Sequence, residues 1–177
     1  MPASQRRISL VKPNAQDFAE VAERHLDDVH AFLVYLTGDR SVAEDLTAET
    51  FARALERWRK FDPRRGSART WLCQLARSTA LDHFRSEERR RRREGRYALG
   101  VAEVDESSFG EGLSPELEAA LSRLSASERE VLALRVVLDL DGDAAARVLG
   151  ISQSACSTRL SRALQKLEQE VSAGVAA

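Results

Sequence analysis

The sequence is poor in the residues that build disulfide frameworks, metal centres and β-sheets. It has two cysteines, two tryptophans and two tyrosines among 177 residues. Cys73 and Cys156 lie in different halves, and neither has a second cysteine or a histidine at metal-ligand spacing. We therefore expect both to be small buried side chains. Alternating runs of β-branched residues are also scarce, whereas Ala, Leu, Glu and Arg are abundant, which predicts an all-α protein.

Long hydrophobic runs are missing as well. The patch from Ile8 to Val11 follows two arginines but is too short for the core of a signal peptide. No stretch approaches the roughly 20 apolar residues of a membrane span, so we expect a cytoplasmic protein without membrane insertion. Because no Ser/His/Asp group, metal constellation or glycine-rich phosphate loop appears, we expect no enzyme activity, no metal and no cofactor.

Charge is segregated along the chain although its formal net value is only -1. Residues 17 to 52 carry nine acidic and two basic side chains, whereas residues 53 to 96 carry six acidic and fifteen basic ones. A local field, not the net charge, attracts a polyanion. The basic stretch therefore indicates a nucleic-acid surface. The acidic block before it is either a solvated face or a docking face for a protein partner.

Apolar residues in the first half recur at the three- and four-residue steps of amphipathic helices. A first helix carries Phe18 to Leu36 and ends at Gly38. The sequence from Ser41 to Glu44 reads as a capping box that begins a second helix. Proline at position 63 ends that helix, and a third follows the short basic loop 62 to 67.

The middle of the chain loses this periodicity. Residues 94 to 113 are rich in Gly, Ser, Asp and Glu, which predicts a flexible acidic linker. We therefore predict two small helical domains, at residues 15–94 and 114–172, joined by a linker at residues 95–113.

The second half shows three helix starts in succession. Ser114, Ser125 and Asp141 each precede an apolar-periodic segment with a side chain that can cap it. Gly150 then turns the chain into a last helix from Gln153. A short helix, a tight turn and a longer helix form the layout of a helix-turn-helix.

The last helix has an apolar stripe and an opposite face of hydroxyls and cations. Short polar groups suit base edges in duplex DNA and cations suit phosphates. The alternative is an ordinary amphipathic helix with a solvated face. The face consists of Ser154, Ser157, Thr158, Arg159, Arg162 and Lys166.

A second cationic surface is predicted on the third helix and the loop before it. By itself the run from Arg89 to Arg93 is equally consistent with a solvated cluster. If five of these cations contact phosphates, the salt slope of binding is about -3.5 to -4.5.

The aromatic residues nearby have two possible roles. The spacing of Trp71 and Phe84 is that of core residues, whereas for Trp58 and His83 both core packing and stacking on unpaired bases are compatible with the sequence.

Three segments resemble one protein family. They are AEDLTAETFARALERWRKFD, then TWLCQLARSTALDHFRSEERRRR, and after the linker LSASEREVLALRVVLDLDGDAAARVLGISQSACSTRLSRALQKL. In this order and separation they look like the extracytoplasmic-function sigma factors of bacteria. The resemblance implies a sigma region 2 bundle and a sigma region 4 helix-turn-helix. It also implies a subunit that directs core RNA polymerase to the -10 and -35 elements of promoters.

The resemblance assigns residues to three surfaces. Core polymerase would be bound through its clamp helices, in the largest subunit, and its flap, in the second largest. Asp45, Leu46, Glu49 and Phe51 would dock on the clamp helices. The -10 element, as separated strand, would contact Phe61, Arg64, Arg65, Arg69, Gln74, Arg77, Ser78, His83, Arg85 and Arg89. The -35 element, as duplex, would contact the polar face of the last helix.

Other interpretations are compatible with parts of the sequence. A stand-alone helix-turn-helix regulator would bind duplex DNA by itself, generally as a dimer, and an anti-sigma-like or scaffolding protein would leave the cations unexplained. For a sigma factor, an anti-sigma partner is a further expectation. The tail ending in Ala176 and Ala177 resembles tails recognised by Clp-type proteases, and a frayed terminus is the alternative.

Overall fold

The computed structural model describes residues 15–93, 109–110 and 112–175, and all regular structure in these ranges is helical. The described residues also include 3-10 turns at Trp58–Lys60 and Pro63–Arg65 and a π-helical turn at Ala133–Val137. The all-α prediction is confirmed. The helices are α1 (Ala15–Thr37), α2 (Arg40–Arg57), α3 (Ala68–Arg93), α4 (Pro115–Ser122), α5 (Ala126–Leu132), α6 (Gly142–Leu149) and α7 (Gln153–Val175).

The N-terminal lobe, residues 15–93, is a bundle in which α1, α2 and α3 pack against one another. Phe32, Leu33 and Leu72 are completely buried at its centre. The start of α2 differs from prediction. The carboxylate of Asp39 accepts the N–H of Val42 (3.0 Å), so Asp39 is the cap and the predicted capping box at Ser41 is wrong.

The ends of the first two helices explain the shape of the loop before α3. Gly38 ends α1 in the left-handed region (φ 71°), as predicted. Helix α2 ends at Arg57, earlier than the proline at position 63 predicts, and the chain continues as a 3-10 turn. This turn places Trp58 in the core at 5% exposure, stacked on Phe61 (ring centroids 5.0 Å apart).

The C-terminal lobe, residues 112–175, contains α4 to α7. Helix α7 packs against the other three helices. The predicted end of α6 is confirmed, because Gly150 lies in the left-handed region (φ 67°). All three predicted caps are confirmed: Ser114 accepts the N–H of Leu117, Ser125 and Glu128 form a reciprocal capping box, and Asp141 accepts the N–H of Ala144.

The helix after Ser125 is shorter than its periodicity predicts. Helix α5 ends at Leu132, and the N–H of Leu138 then bonds to the carbonyl of Ala133 (2.8 Å), five residues back. The wider turn keeps Leu138 in the core and leaves Val136 exposed.

The two lobes pack on each other. Helix α5 and the π-helical turn contact α1, and α6 contacts α3. Most of the predicted linker lies outside the described residues, but its residue Phe109 is described and is only 2% exposed. Composition alone gave no sign of this buried aromatic. The domain boundaries at 94 and 114 stay predictions.

Both cysteines are free and buried, as the sequence predicts. Burial raises the pKa of the Cys73 thiol to about 12 and also raises the pKa of Cys156. Among the described residues, no helix has both the length and the apolarity needed to cross a bilayer.

Candidate nucleic-acid interfaces

Helices α6 and α7 form the predicted helix-turn-helix. Cys156 and Ala163 are buried on the inner side of α7, whereas the neighbouring Leu164 is 43% exposed. Ser152 Oγ accepts the N–H of Ala155 (3.2 Å) and so caps the start of the helix. Among the predicted -35 residues, the exposed ones are Ser154, Ser157, Thr158 and Arg162.

The polar groups of this face differ in their availability. The hydroxyls of Ser157 and Thr158 donate to carbonyls of their own helix (3.1 and 3.0 Å), which leaves their lone pairs free to accept. Lys166 Nζ lies 3.0 Å from Glu128 Oε2, and Arg159 is half-buried. The exposed hydroxyls and Arg162 are therefore the groups best placed to meet DNA.

A cavity of about 350 Å³ lies beside the start of α3. Phe61 and Trp71 form an aromatic wall with ring centroids 5.2 Å apart, and Trp58 is stacked behind Phe61. Trp71, predicted as core, is only half-buried because it lines this cavity. Polar groups of Arg65 and Gln74 also border the cavity, so it offers stacking and hydrogen bonding together.

One face of α3 continues away from this cavity. Gln74, Ser78, Arg85 and Arg89 are all exposed and follow one another at helical spacing. His83 and Phe84 are half-buried on another side of the helix, with their rings 6.0 Å apart. The predicted -10 residues on α3 thus divide into an exposed row and a partly buried flank.

Several cations of the predicted -10 surface already have carboxylate partners. Arg64 bonds to Asp62 through two nitrogens at 3.0 Å, and Arg85 lies 3.5 Å from Asp82. The guanidinium of Arg69 donates two hydrogen bonds to the carboxylate of Asp28 (2.7 and 3.0 Å) and so links α3 to α1. A DNA phosphate would have to compete for these cations.

The Asp28–Arg69 pair makes the free energy of unfolding depend on pH in the acidic range. Burial alone would raise the pKa of Asp28, but hydrogen bonds and charges of Arg69 and His25 outweigh it and hold the pKa below the ordinary 3.8. A carboxyl with a lowered pKa stabilises the fold above its unfolded pKa, and this contribution disappears as pH falls through the folded pKa.

We expect Asp28→Asn to unfold more easily than wild type at pH 6. The difference should shrink below about pH 4 in urea titrations, with Glu168→Gln as control. A difference that persists unchanged at pH 2 contradicts this assignment.

The acidic block forms a separate face on α1 and α2. Asp45 and Glu49 are exposed and Phe51 is half-buried, but Leu46 is 3% exposed and packs in the core. The predicted docking role of Leu46 stays a prediction. A groove of about 610 Å³ runs beside these residues, and Leu26, 47% exposed, lines it.

Sequence periodicity missed this groove. Leu26 lies at the spacing of core residues, and Thr47 gave no signal. The acidic residues at the border, Glu23, Asp27 and Glu44, were one usable sign, since an apolar groove with an acidic border suits a basic amphipathic partner. The family resemblance supplied the other, because it assigned Phe51 to a docking surface. Ala176 and Ala177 lie outside the described residues, so their role stays a prediction.

Family models match both lobes. The model for Sigma-70 region 2 matches residues 21–90, and the model for Sigma-70 region 4 matches residues 114–167.

Curated relatives match along most of the chain. The sigma factor BldN of Streptomyces coelicolor is 34% identical over 157 residues, which cover 86% of this chain and 60% of BldN. SigC of Mycobacterium tuberculosis is 33% identical, covering 90% of this chain and 86% of SigC. SigX of Bacillus subtilis is 28% identical, covering 88% of this chain and 84% of SigX. All three carry the description of an extracytoplasmic-function (ECF) RNA polymerase sigma factor.

Solved structures agree with the fold. The sigma factor RpoE of Bartonella quintana, solved with the anti-sigma factor NepR, superposes with a TM-score of 0.75 at 24% identity, covering 89% of this chain and 98% of RpoE. CnrH, solved with the cytosolic domain of CnrY, superposes with a TM-score of 0.66 at 24% identity, covering 90% of this chain and 90% of CnrH.

Proposed function

Because this chain belongs to the extracytoplasmic-function family of RNA polymerase sigma factors, we propose that it binds core polymerase, recognises the -10 and -35 promoter elements and promotes transcription initiation. One observation carries the proposal. A helix with exposed hydroxyls and cations in the C-terminal lobe accompanies, in the same chain, an aromatic-walled cavity beside a basic helix in the N-terminal lobe. The first suits duplex DNA and the second suits an unpaired base.

The C-terminal lobe would read the -35 element as intact duplex. The N-terminal part of α7 enters the major groove, where the hydroxyls of Ser154, Ser157 and Thr158 meet base edges. Arg162, one turn further along the helix, reaches a phosphate or a guanine edge. Arg159 and Lys166 join these contacts only after their present surroundings rearrange.

The N-terminal lobe would hold the -10 element as separated strand. Extracting a base from the stack costs a few kcal/mol, and stacking on an aromatic side chain returns on the order of 1–3 kcal/mol per base. Phe61 and Trp71 supply the aromatic wall, Gln74 supplies hydrogen bonds, and Arg65 and Arg89 attract the backbone. The strand then follows the exposed row of α3.

Core polymerase would dock on the acidic groove. Leu26 and Phe51 provide apolar contact, while Asp45 and Glu49 attract a basic helix of the clamp. The flap of the second largest subunit would contact the C-terminal lobe. We place this activity in the cytoplasm, as a binding function without catalysis or a cofactor.

An anti-sigma factor is proposed as a regulatory partner. RpoE of Bartonella quintana, whose fold resembles this chain, was solved with the anti-sigma factor NepR, and CnrH was solved with the cytosolic domain of CnrY. A Clp-type protease acting on the Ala176-Ala177 end remains a separate proposal. Replacing both alanines by aspartate should lengthen the cellular half-life if it is right.

The test is run-off transcription with purified core polymerase and DNA from upstream of the protein's own gene. We expect a transcript only when the full chain is added, because core polymerase alone lacks promoter recognition. A stand-alone regulator would instead shift duplex DNA unaided and never stimulate initiation. Failure to bind core polymerase on a sizing column at low salt contradicts the proposed function.

A further inference from the structure

Glutamine 153 is the first residue of α7, and its side chain is exposed. Its backbone carbonyl accepts the hydroxyl of Ser157 (3.1 Å), one turn further along the helix. Its side-chain amide has no hydrogen-bond partner within the part of the chain that the structure describes. An unengaged amide therefore lies at the start of the helix that is proposed to contact the -35 element.

The neighbouring polar groups of this turn are already engaged. Ser152 Oγ accepts the N–H of Ala155 (3.2 Å) and lies 3.1 Å from Ser154 Oγ. The Ser157 hydroxyl donates its proton within α7 and can only accept a hydrogen bond from DNA. Gln153 is thus the side chain of this turn that offers a free donor and a free acceptor together.

Glycine 142, at the start of α6, provides the space in which this amide lies. A Cβ placed on Gly142 would be 3.1 Å from Gln153 Nε2 and 3.5 Å from its Cγ. The first distance is shorter than an ordinary van der Waals contact, so any side chain at position 142 would displace the amide. The backbone of α6 therefore restrains the amide on one side, which lowers the entropy that binding would cost.

The backbone at position 142 does not itself require glycine. Its φ is not among the positive values found at Gly38, Gly66, Gly112 and Gly150. Glycine inside a helix destabilises it relative to alanine. The contact with Gln153 is thus the feature of the structure that a side chain at this position would disturb.

A free amide can distinguish adenine from guanine in the major groove. Adenine presents an acceptor (N7) beside a donor (N6), which match the donor and the acceptor of a glutamine amide. Guanine presents two acceptors there, so one of them would face the amide oxygen. Asp141 and Asp143 flank Gly142 and repel phosphates, so a base edge suits this amide better than the DNA backbone.

We propose that Gln153 recognises one adenine of the -35 element and that Gly142 is a positioning residue that acts through it. The inference rests on the proposed function, since it requires α7 to enter the major groove of this element. Gln153 and Arg162 are nine residues apart in the sequence. This is roughly 13 Å along the helix axis, and base pairs are about 3.4 Å apart, so the two side chains contact different base pairs.

The test is transcription by core polymerase and the full chain from a promoter pool with a randomised -35 region. The start site of run-off transcription locates this region, and barcodes in the transcripts identify the sequences that are used. We expect wild type to favour adenine at one base pair by about tenfold, because a bidentate contact discriminates to that order. Gln153→Ala should abolish this preference and leave the others within about twofold of wild type.

The matched control makes the same substitution further along the same helix. Gln169 is exposed on α7, and Gln169→Ala should alter no base preference. Gln153→Glu should change the preference instead of removing it. A carboxylate only accepts, so it suits the N4 amino group of cytosine, and cytosine should replace adenine at the same base pair. An adenine preference that persists in Gln153→Glu overturns the inference.

Gly142→Ala tests the positioning role. Its Cβ displaces the amide, so the adenine preference should weaken by at least about threefold, since hydrogen bonds weaken steeply away from ideal geometry. Thermal unfolding followed by circular dichroism should show a midpoint no lower than that of wild type. In the Gln153→Ala background, Gly142→Ala should change no base preference further, because its effect passes through Gln153. Changes of equal size in both backgrounds would show a merely structural role and overturn the positioning by Gly142.

Failure of the inference differs from failure of the proposed function. If wild type selects -35 sequences and Gln153→Ala keeps every preference, the inference alone is overturned. If the full chain and core polymerase give no transcript from any template, the proposed function fails and this inference fails with it.

Discussion

Transcription from a promoter that depends on its -35 element should fall by on the order of 100-fold when Ser157 and Thr158 are both replaced by glutamate. Each lost base-edge contact removes about 1–3 kcal/mol, and each new carboxylate repels the DNA backbone. Both positions are exposed on α7, and glutamate near a helix start is compatible with the helix. The measurement is run-off transcription at fixed salt with saturating core polymerase.

The matched control adds two negative charges further along the same helix. Gln169 and Ser172 are exposed, and replacing both by glutamate changes the net charge by the same amount. This control should transcribe within about twofold of wild type, because charges more than a Debye length from the DNA are screened. If the control loses as much activity as the first variant, a general charge effect explains the result and the assignment of the -35 surface to this face fails.

The N-terminal lobe should lose about 3–5 kcal/mol of unfolding free energy when Phe32 is replaced by alanine. Phe32 is completely buried on α1, so the change leaves a cavity that the surrounding helices fill only in part. Because small domains are stable by only about 5–15 kcal/mol, this is a large share of the total. Urea unfolding followed by circular dichroism should show a midpoint lowered by roughly 2 M at an unchanged slope.

Leu26→Ala on the same helix is the control for this change. Its side chain is 47% exposed, so it leaves no enclosed cavity and should cost much less than Phe32→Ala. Equal losses from the two variants would contradict the described burial of α1. The same control variant also tests the docking groove, since it should weaken binding of core polymerase while the lobe stays folded.

Local signals determined much of the fold correctly. Ser114, Ser125 and Asp141 were recognised as caps because each side chain satisfies a free N–H within three residues, a distance that sequence displays directly. Gly150 was recognised by a different local signal, since a left-handed turn at the end of a helix favours glycine. The start of α2 was placed wrongly because Asp39 and Ser41 are both competent caps, and only the three-dimensional path of the chain chooses between them.

Contacts between distant segments could not be read from the sequence. Periodicity identifies one apolar face of a helix but not how far the neighbouring helices cover it. Leu26, Leu55 and Leu164 lie at the spacing of core residues and are nevertheless exposed. Phe109 is the opposite case. It is surrounded by polar and acidic residues, and its partners Tyr35 and Arg129 lie far away in sequence.

The family resemblance supplied the functional surfaces that composition could not. A row of cations predicts attraction to nucleic acid, but nothing local separates Arg89, which is exposed, from Arg69, which is bonded to Asp28. Nor could the sequence show that Gln74 donates to the carbonyl of Arg147 and Arg77 to the carboxylate of Glu130, both in the other lobe. The assignment of individual DNA contacts therefore stays a prediction for the variants described above.

The burial of both thiols has a consequence for how this protein can receive a signal. Oxidants and electrophiles react with thiolate, which is nearly absent at neutral pH when the thiol pKa is about 12, as at Cys73. Cys156 is covered to the same extent. Peroxide, disulfide or nitrosative stress should therefore leave both thiols of the folded chain unmodified, and a thiol-oxidising stimulus would have to be sensed by another protein and passed on through binding.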